Sequence, residues 1–195
     1  MTSFLLVAAV AVFLENALFA RALDISVLLP ALHSRRTIWI YGLAVTLSSS
    51  AAGGVAWGLH SLLQGGGWYA SYGQPFLFLT AQAFLYAVVC AGLRAYKKEL
   101  YRAIRVPLTI SFFNCAALGS MFLAVYKAGS FWGAVGTGAG VGVGFLLACA
   151  LVRVEEGRLA ICNVPRAFQG LPIRLMYIGL LALATYGLIG HQLPV

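Results

Sequence analysis

Two pairs of polar residues stand inside otherwise apolar runs. Glu15 and Asn16 lie within SFLLVAAVAVFLENALFARAL, and Asn114 and Cys115 within TISFFNCAALGSMF. Each residue type has a chemistry suited to such a place. A carboxylate handles protons or cations, a carboxamide bonds a carbonyl freed where a helix breaks, and soft thiolate sulfur suits iron. A charged side chain near the centre of a bilayer costs about 2.5–3.5 kcal/mol on the insertion scale. Glu15 therefore reads as an ion- or proton-handling group, or as the organiser of an interrupted helix. The plainer alternative is a carboxyl that is protonated or capped by a neighbour. Arg21 and Asp24 follow within ten residues, a density of polar groups that a lipid-facing surface does not tolerate. Cys115 taken by itself reads most simply as an inert thiol, as do Cys90 and Cys149.

The elements that position these residues are membrane helices. The chain is 62% hydrophobic and only 9% charged, with a mean hydropathy of +0.91. A soluble domain carries about 25% charged residues. Continuous apolar runs of about 20 residues fit spanning helices rather than the alternating segments of a barrel. Six spans are expected, at about 2–23, 37–63, 75–95, 105–127, 130–152 and 171–190. MTSFLLVAAVAV has no basic leader and reads as the start of a span, not as a cleaved signal. The connections are DISVLLPALHSRR, QGGGWYASYGQP, RAYKKELYRAIR, a short turn at Lys127, and RVEEGRLAICNVPRAFQGLP.

The formal charge of +8 does not indicate nucleic acid, because the basic residues fall between apolar runs. Arg35 and Arg36 lie in the first connection. Arg94, Lys97, Lys98, Arg102 and Arg105 lie in the third, and Arg153, Arg158, Arg166 and Arg174 in the fifth. The second has no Lys or Arg and the fourth only Lys127. The odd connections are thus expected in the cytoplasm and both termini on the far side. The cysteines, Cys162 included, show no metal-binding spacing, and His33, His60 and His191 are scattered.

The single domain, residues 1–195, divides into halves. Asn16 and Asn114 stand 98 residues apart, and spans two and five share small-residue stretches, SSSAAGG and GAVGTGAGVGVG. Three spans per half, about 1–98 and 99–195, give two inverted repeats with interrupted first and fourth helices and a site at the midplane. Glycines from Gly133 to Gly144 let helix backbones approach closely. On physics alone, a small solute or ion transporter without a redox centre fits this pattern as well as an electron carrier does.

FLENALFARAL, LYRAIRVPL, NCAALG, GVGVGFLLA and VPRAFQGLPI together resemble a known family. It comprises the paired membrane subunits of the Rnf complex and of the sodium-translocating NADH:quinone oxidoreductase, Nqr. The similarity is greatest to the A-type member of Rnf and the E-type member of Nqr, and it covers nearly the whole chain. The resemblance implies a multi-pass subunit of a bacterial inner membrane, non-catalytic alone, within an ion-coupled electron-transport complex. Its implied partners are a homologous six-helix subunit of inverted topology and further Rnf/Nqr-like subunits. It also implies a [2Fe–2S] cluster shared by the two homologous subunits, each giving one cysteine from span one and one from span four. Cys115 matches the span-four ligand. Ser26 stands where the family has its first cysteine, and Cys90 where it has a carboxylate late in span three. Serine is a harder ligand than thiolate. Either the partner completes a three-cysteine, one-serine cluster, or the cluster is absent.

Overall fold

The computed structural model describes Val12 and residues 34–63, 73–127, 129–159, 163 and 165–189. These residues are helical apart from short connections. Helices α1 (Arg35–Leu63), α2 (Gln74–Tyr96), α3 (Lys98–Phe112), α4 (Cys115–Lys127), α5 (Phe131–Leu159) and α6 (Leu171–Ile189) follow one another, with a 3₁₀ turn at Arg166–Phe168 before α6. Three of them, α1, α2 and α5, are long and apolar enough to cross a membrane, and α3 with α4 make a fourth span if counted together. α6 is a shorter apolar helix. The protein is an all-helical, multi-pass membrane protein, as its composition requires. Apart from Val12, the first expected span lies outside the described residues.

Local chemistry sets the ends of these helices. Ser34 caps α1, its Oγ accepting the Thr37 N–H at 3.1 Å. Ser130 does the same for α5, accepting from the Gly133 N–H at 3.1 Å. Pro75 opens α2, where its missing N–H is no loss. Two expected boundaries are displaced. Helix α5 runs on to Leu159, past the expected end at 152, because Arg153, Glu155 and Glu156 are good helix formers. The basic stretch RAYKKELYRAIR, read as a loop, is helical on both sides of Lys97, so α3 starts at Lys98 instead of near 105. Its charged residues are good helix formers, Glu99 pairs with Arg102 at 3.3 Å, and Tyr101 turns inward.

Small residues decide how α1 and α5 pack. They run antiparallel with their backbones in near contact. A Cβ at Gly138 would strike the Ser49 carbonyl, and one at Gly142 would strike Thr46. One at Gly53 would lie 2.6 Å from the Ala134 oxygen. The glycine run thus has the packing role read from the sequence. Above this seam, Ile38, Tyr41 and Val45 of α1 join Phe145, Cys149 and Val152 of α5 and Ile178 of α6. Nearer the other end, Ala52 and Ala56 meet Phe78 of α2 and Met121 of α4. Serines and alanines fill the interior while Leu43, Leu47, Phe76, Phe84, Leu180 and Leu183 face outward. That is the arrangement a lipid solvent favours, because large apolar side chains lose nothing by facing hydrocarbon.

The chain direction collects the charges at one end. The start of α1, the junction of α2 with α3, the end of α5 and the start of α6 share that end. It carries Arg36, Arg94, Lys97, Lys98, Arg102, Arg105, Arg153 and Arg174. At the opposite end, Tyr126 of α4 reaches α2 by donating to Gln74 Oε1 at 3.0 Å, and Lys127 closes α4.

Candidate functional site at a broken helix

The central feature is the junction of α3 and α4. Two residues, Phe113 and Asn114, separate the helices, whose axes meet at 52°. A helix end leaves its last carbonyls and first N–H groups without intrahelical partners, and hydrocarbon supplies none. Side chains from neighbouring helices take that role. Gln82 of α2 donates its Nε2 to the Phe112 carbonyl at 2.9 Å. Ser48 of α1 donates to the Ser111 carbonyl at 3.0 Å. The Phe113 N–H still reaches Thr109 O at 3.1 Å, closing the last turn of α3.

Across the break, Asn114 starts α4. Its Oδ1 accepts the Ala117 N–H at 2.6 Å and its carbonyl accepts the Leu118 N–H at 3.4 Å. The side chain acts as an N-cap, and only 5% of the residue is exposed. Ser120, one turn on, donates to Ala117 O at 2.7 Å and leans towards Ser49 O at 3.5 Å. The result is a buried polar layer of Ser48, Ser49, Gln82, Ser111, Asn114 and Ser120 at the meeting of α1, α2, α3 and α4. Its hydrogen-bonding capacity is not used up. Ser49 Oγ, Gln82 Oε1 and Ser111 Oγ are buried and have no hydrogen-bond partner among the described residues.

Cys115, the first residue of α4, is exposed, whereas Cys90 and Cys149 are buried. Cys90 packs among Tyr101, Leu108 and Phe112, and Cys149 in the apolar cluster of α1, α5 and α6 above the seam. Both surroundings match the inert reading. Of the site residues named from sequence, Asn114 and Cys115 thus sit together at the break. Glu15, Asn16 and Ser26 lie outside the described residues, as do Cys162, His33 and His191. No group of three or more His, Cys, Asp or Glu side chains converges among the described residues.

Sequence reasoning did not single out Gln82 or Ser48. The signal for Gln82 was available, since an amide in the middle of PFLFLTAQAFLYAVV is as isolated as Asn114. Ser48 belongs to a serine run read only for its small size.

Known proteins resemble the chain along most of its length. The model of the Rnf-Nqr subunit, a membrane protein, matches residues 4–191. The A component of the ion-translocating oxidoreductase complex of Syntrophotalea carbinolica is 34% identical over 190 residues, covering 97% of this chain and 98% of that protein. The A component of the Na(+)-translocating ferredoxin:NAD(+) oxidoreductase complex of Acetobacterium woodii is 29% identical, covering 94% of this chain and 95% of its own. The E component of the Na(+)-translocating NADH-quinone reductase of Chlamydia muridarum is 26% identical over 92% of this chain and 78% of its own.

Proposed function

The chain belongs to the Rnf-Nqr subunit family of membrane proteins, and from that premise we propose how its broken helix serves an ion-translocating oxidoreductase complex. The chain is a membrane subunit of such a complex, as its relatives' names describe theirs. Nothing in those relatives favours the redox-free transporter. The observation that carries the finer reading is the capped break that leaves Cys115 exposed beside a buried Asn114.

In this reading α3 and α4 form one interrupted span, and Glu15 and Asn16 mark the corresponding interruption in span one. The two interruptions belong to two inverted three-helix repeats, about 1–98 and 99–195. The 98-residue spacing of Asn16 and Asn114 and the small-residue stretches in α1 and α5 support the repeat. The basic end, with the α2–α3 junction, faces the cytoplasm of a bacterial inner membrane, which puts both termini on the other side.

A [2Fe–2S] cluster takes four ligands. The described residues offer one suitably placed donor, the exposed Cys115 thiol, and no convergent set. That fits a cluster only if it is shared, with Cys115 as one ligand, Ser26 at the second position of this chain, and the rest from a homologous subunit of inverted topology. When bound, the cluster would carry single electrons across the bilayer midplane. The chain's own residues have a positioning task. Gln82, Ser48 and Asn114 satisfy the broken backbone and so fix where Cys115 points. Its place on the first turn of α4 sets any anionic group it holds against the positive end of the helix dipole. The spare acceptor and hydroxyl groups of Gln82, Ser49 and Ser111 suit a site that handles polar or charged species.

The test uses the complex purified with its native partners. Iron analysis and EPR are expected to show a [2Fe–2S] signal that is lost in Cys115→Ala while the protein remains assembled. A complex whose signals are unchanged in that variant removes Cys115 from cluster ligation. Glu15→Gln is expected to impair ion-coupled electron transfer without loss of membrane insertion.

A further inference from the structure

The junction of α2 and α3 has a chemistry that the midplane site does not use. Lys97 alone separates the two helices, and its backbone holds the corner: its N–H donates to Leu93 O at 2.9 Å, and its carbonyl accepts from the Tyr101 N–H at 3.0 Å. Arg94 is fastened inside the corner. Its Nη2 donates to the Tyr101 hydroxyl at 2.9 Å, and its guanidinium lies 4.9 Å from the centre of that ring. Lys97, Lys98, Arg102 and Arg105 stand around it, all exposed. Glu99, the one carboxylate in this stretch, is taken up by Arg102. Lys97, Lys98 and Arg105 make no side-chain hydrogen bond or ion pair among the described residues. Apolar side chains point outward beside these charges: Tyr96 is 90% exposed and Val106 58%.

We propose that the α2–α3 corner is a binding site for the phosphate headgroup of an anionic phospholipid. Two observations favour a lipid over an acidic protein surface. The corner lies at the end of a membrane-crossing helix, α2, which sets its charges at headgroup depth. It also pairs unneutralised cations with outward-facing Tyr96, Leu100 and Val106, so phosphate and acyl chain meet matching surfaces together. The planar Arg94 guanidinium, pre-oriented by Tyr101, gives the phosphate a fixed donor. Lys97, Lys98 and Arg105 add unpaired positive charge around it. Basic side chains near an anionic membrane surface each strengthen attraction about fivefold.

The test is native mass spectrometry of the complex, assembled with its native partners, in detergent supplemented with phosphatidylglycerol or phosphatidylcholine. Phosphatidylglycerol is expected to be retained preferentially. The triple variant Lys97→Gln, Lys98→Gln, Arg105→Gln is expected to lose the preference by about 100-fold, the product of three such factors. Lys127→Gln, at the opposite end, should leave it intact, and inorganic phosphate should not displace the bound lipid. The proposal is overturned if both lipids bind alike, if Lys127→Gln has the same effect, or if free phosphate competes. It is equally overturned if the triple variant sheds a partner protein without changing lipid retention, since the corner would then be a protein interface.

Discussion

Gln82→Leu tests how the broken helix is held. In the native protein the Gln82 amide donates to the Phe112 carbonyl at 2.9 Å, in a position with no exposure. Leucine keeps the bulk of the side chain but offers no donor, so the carbonyl is left buried and unpaired. Such a group costs about 1–3 kcal/mol. Part of that is returned, because Gln82 Oε1 already lacks a partner and disappears with the amide. The net loss is therefore about 1–2 kcal/mol, concentrated at the break. Amide hydrogen exchange, followed by mass spectrometry in lipid nanodiscs, reads this directly. Exchange at Ala117 and Leu118, whose N–H groups bond to Asn114, is expected to quicken about five- to thirtyfold. Peptides from α5 are expected to change little. Ser48→Ala should do less. Its single hydroxyl proton is divided between the Val45 and Ser111 carbonyls, both at 3.0 Å. Exchange unchanged at the break, or quickened equally through α5, would refute the reasoning and make Gln82 a packing residue.

Other outcomes follow from the same geometry. Asn114→Ala removes the α4 cap and should lower stability by about 1 kcal/mol, read as a lower midpoint of thermal unfolding in a fixed detergent; Asn114→Ser, a neutral cap, should recover much of it, whereas Asn114→Asp buries a charge and should not. Gly138→Ala sets a Cβ against the Ser49 carbonyl and should cost about 1–3 kcal/mol, seen as reduced yield of folded protein and a lower midpoint. Gly92→Ala meets nothing within 4 Å and should be neutral or raise stability by up to about 1 kcal/mol through helix propensity, in the same measurement. In the isolated chain, stripped of its partners, Cys115 should react with a membrane-permeant thiol reagent before Cys90 and Cys149, since it alone of the three is exposed; in the assembled complex it should be protected, and peptide mapping of the labelled chain checks both.

The sequence announced most of these elements through long apolar runs, which have few alternatives in a lipid solvent. Both ends of α1, α2 and α6 and the start of α5 fall close to the expected boundaries because caps, prolines and charges punctuate them. The end of α5 does not, since the charged residues that signal a connection also continue the helix to Leu159. The start of α3 was harder to read. Charge clusters signal a connection at the membrane surface, yet KELYRAIR is also a good amphipathic helix, and only inward packing of Tyr101 decides between the two. Asn114 was legible because an amide in hydrocarbon needs a partner. The partners of the break were not. Gln82 lies 30 residues before the carbonyl it serves and Ser48 lies 63 before its own. No local pattern records such a distance. The glycine stripe was legible as a contact surface, but not which backbone atoms it would meet.

The seam between α1 and α5 also constrains how the protein is made. Gly53 and Ala134 meet across it, although 80 residues of chain lie between them. At a synthesis rate of about 5–20 residues per second, α1 waits roughly 4–16 s in the bilayer before its mate emerges from the ribosome. For that interval its serine and glycine stripe faces lipid or the insertion machinery. Late arrival of α5 then zips a groove that was open from the start, and a chain stalled before residue 131 would leave the groove available to quality control.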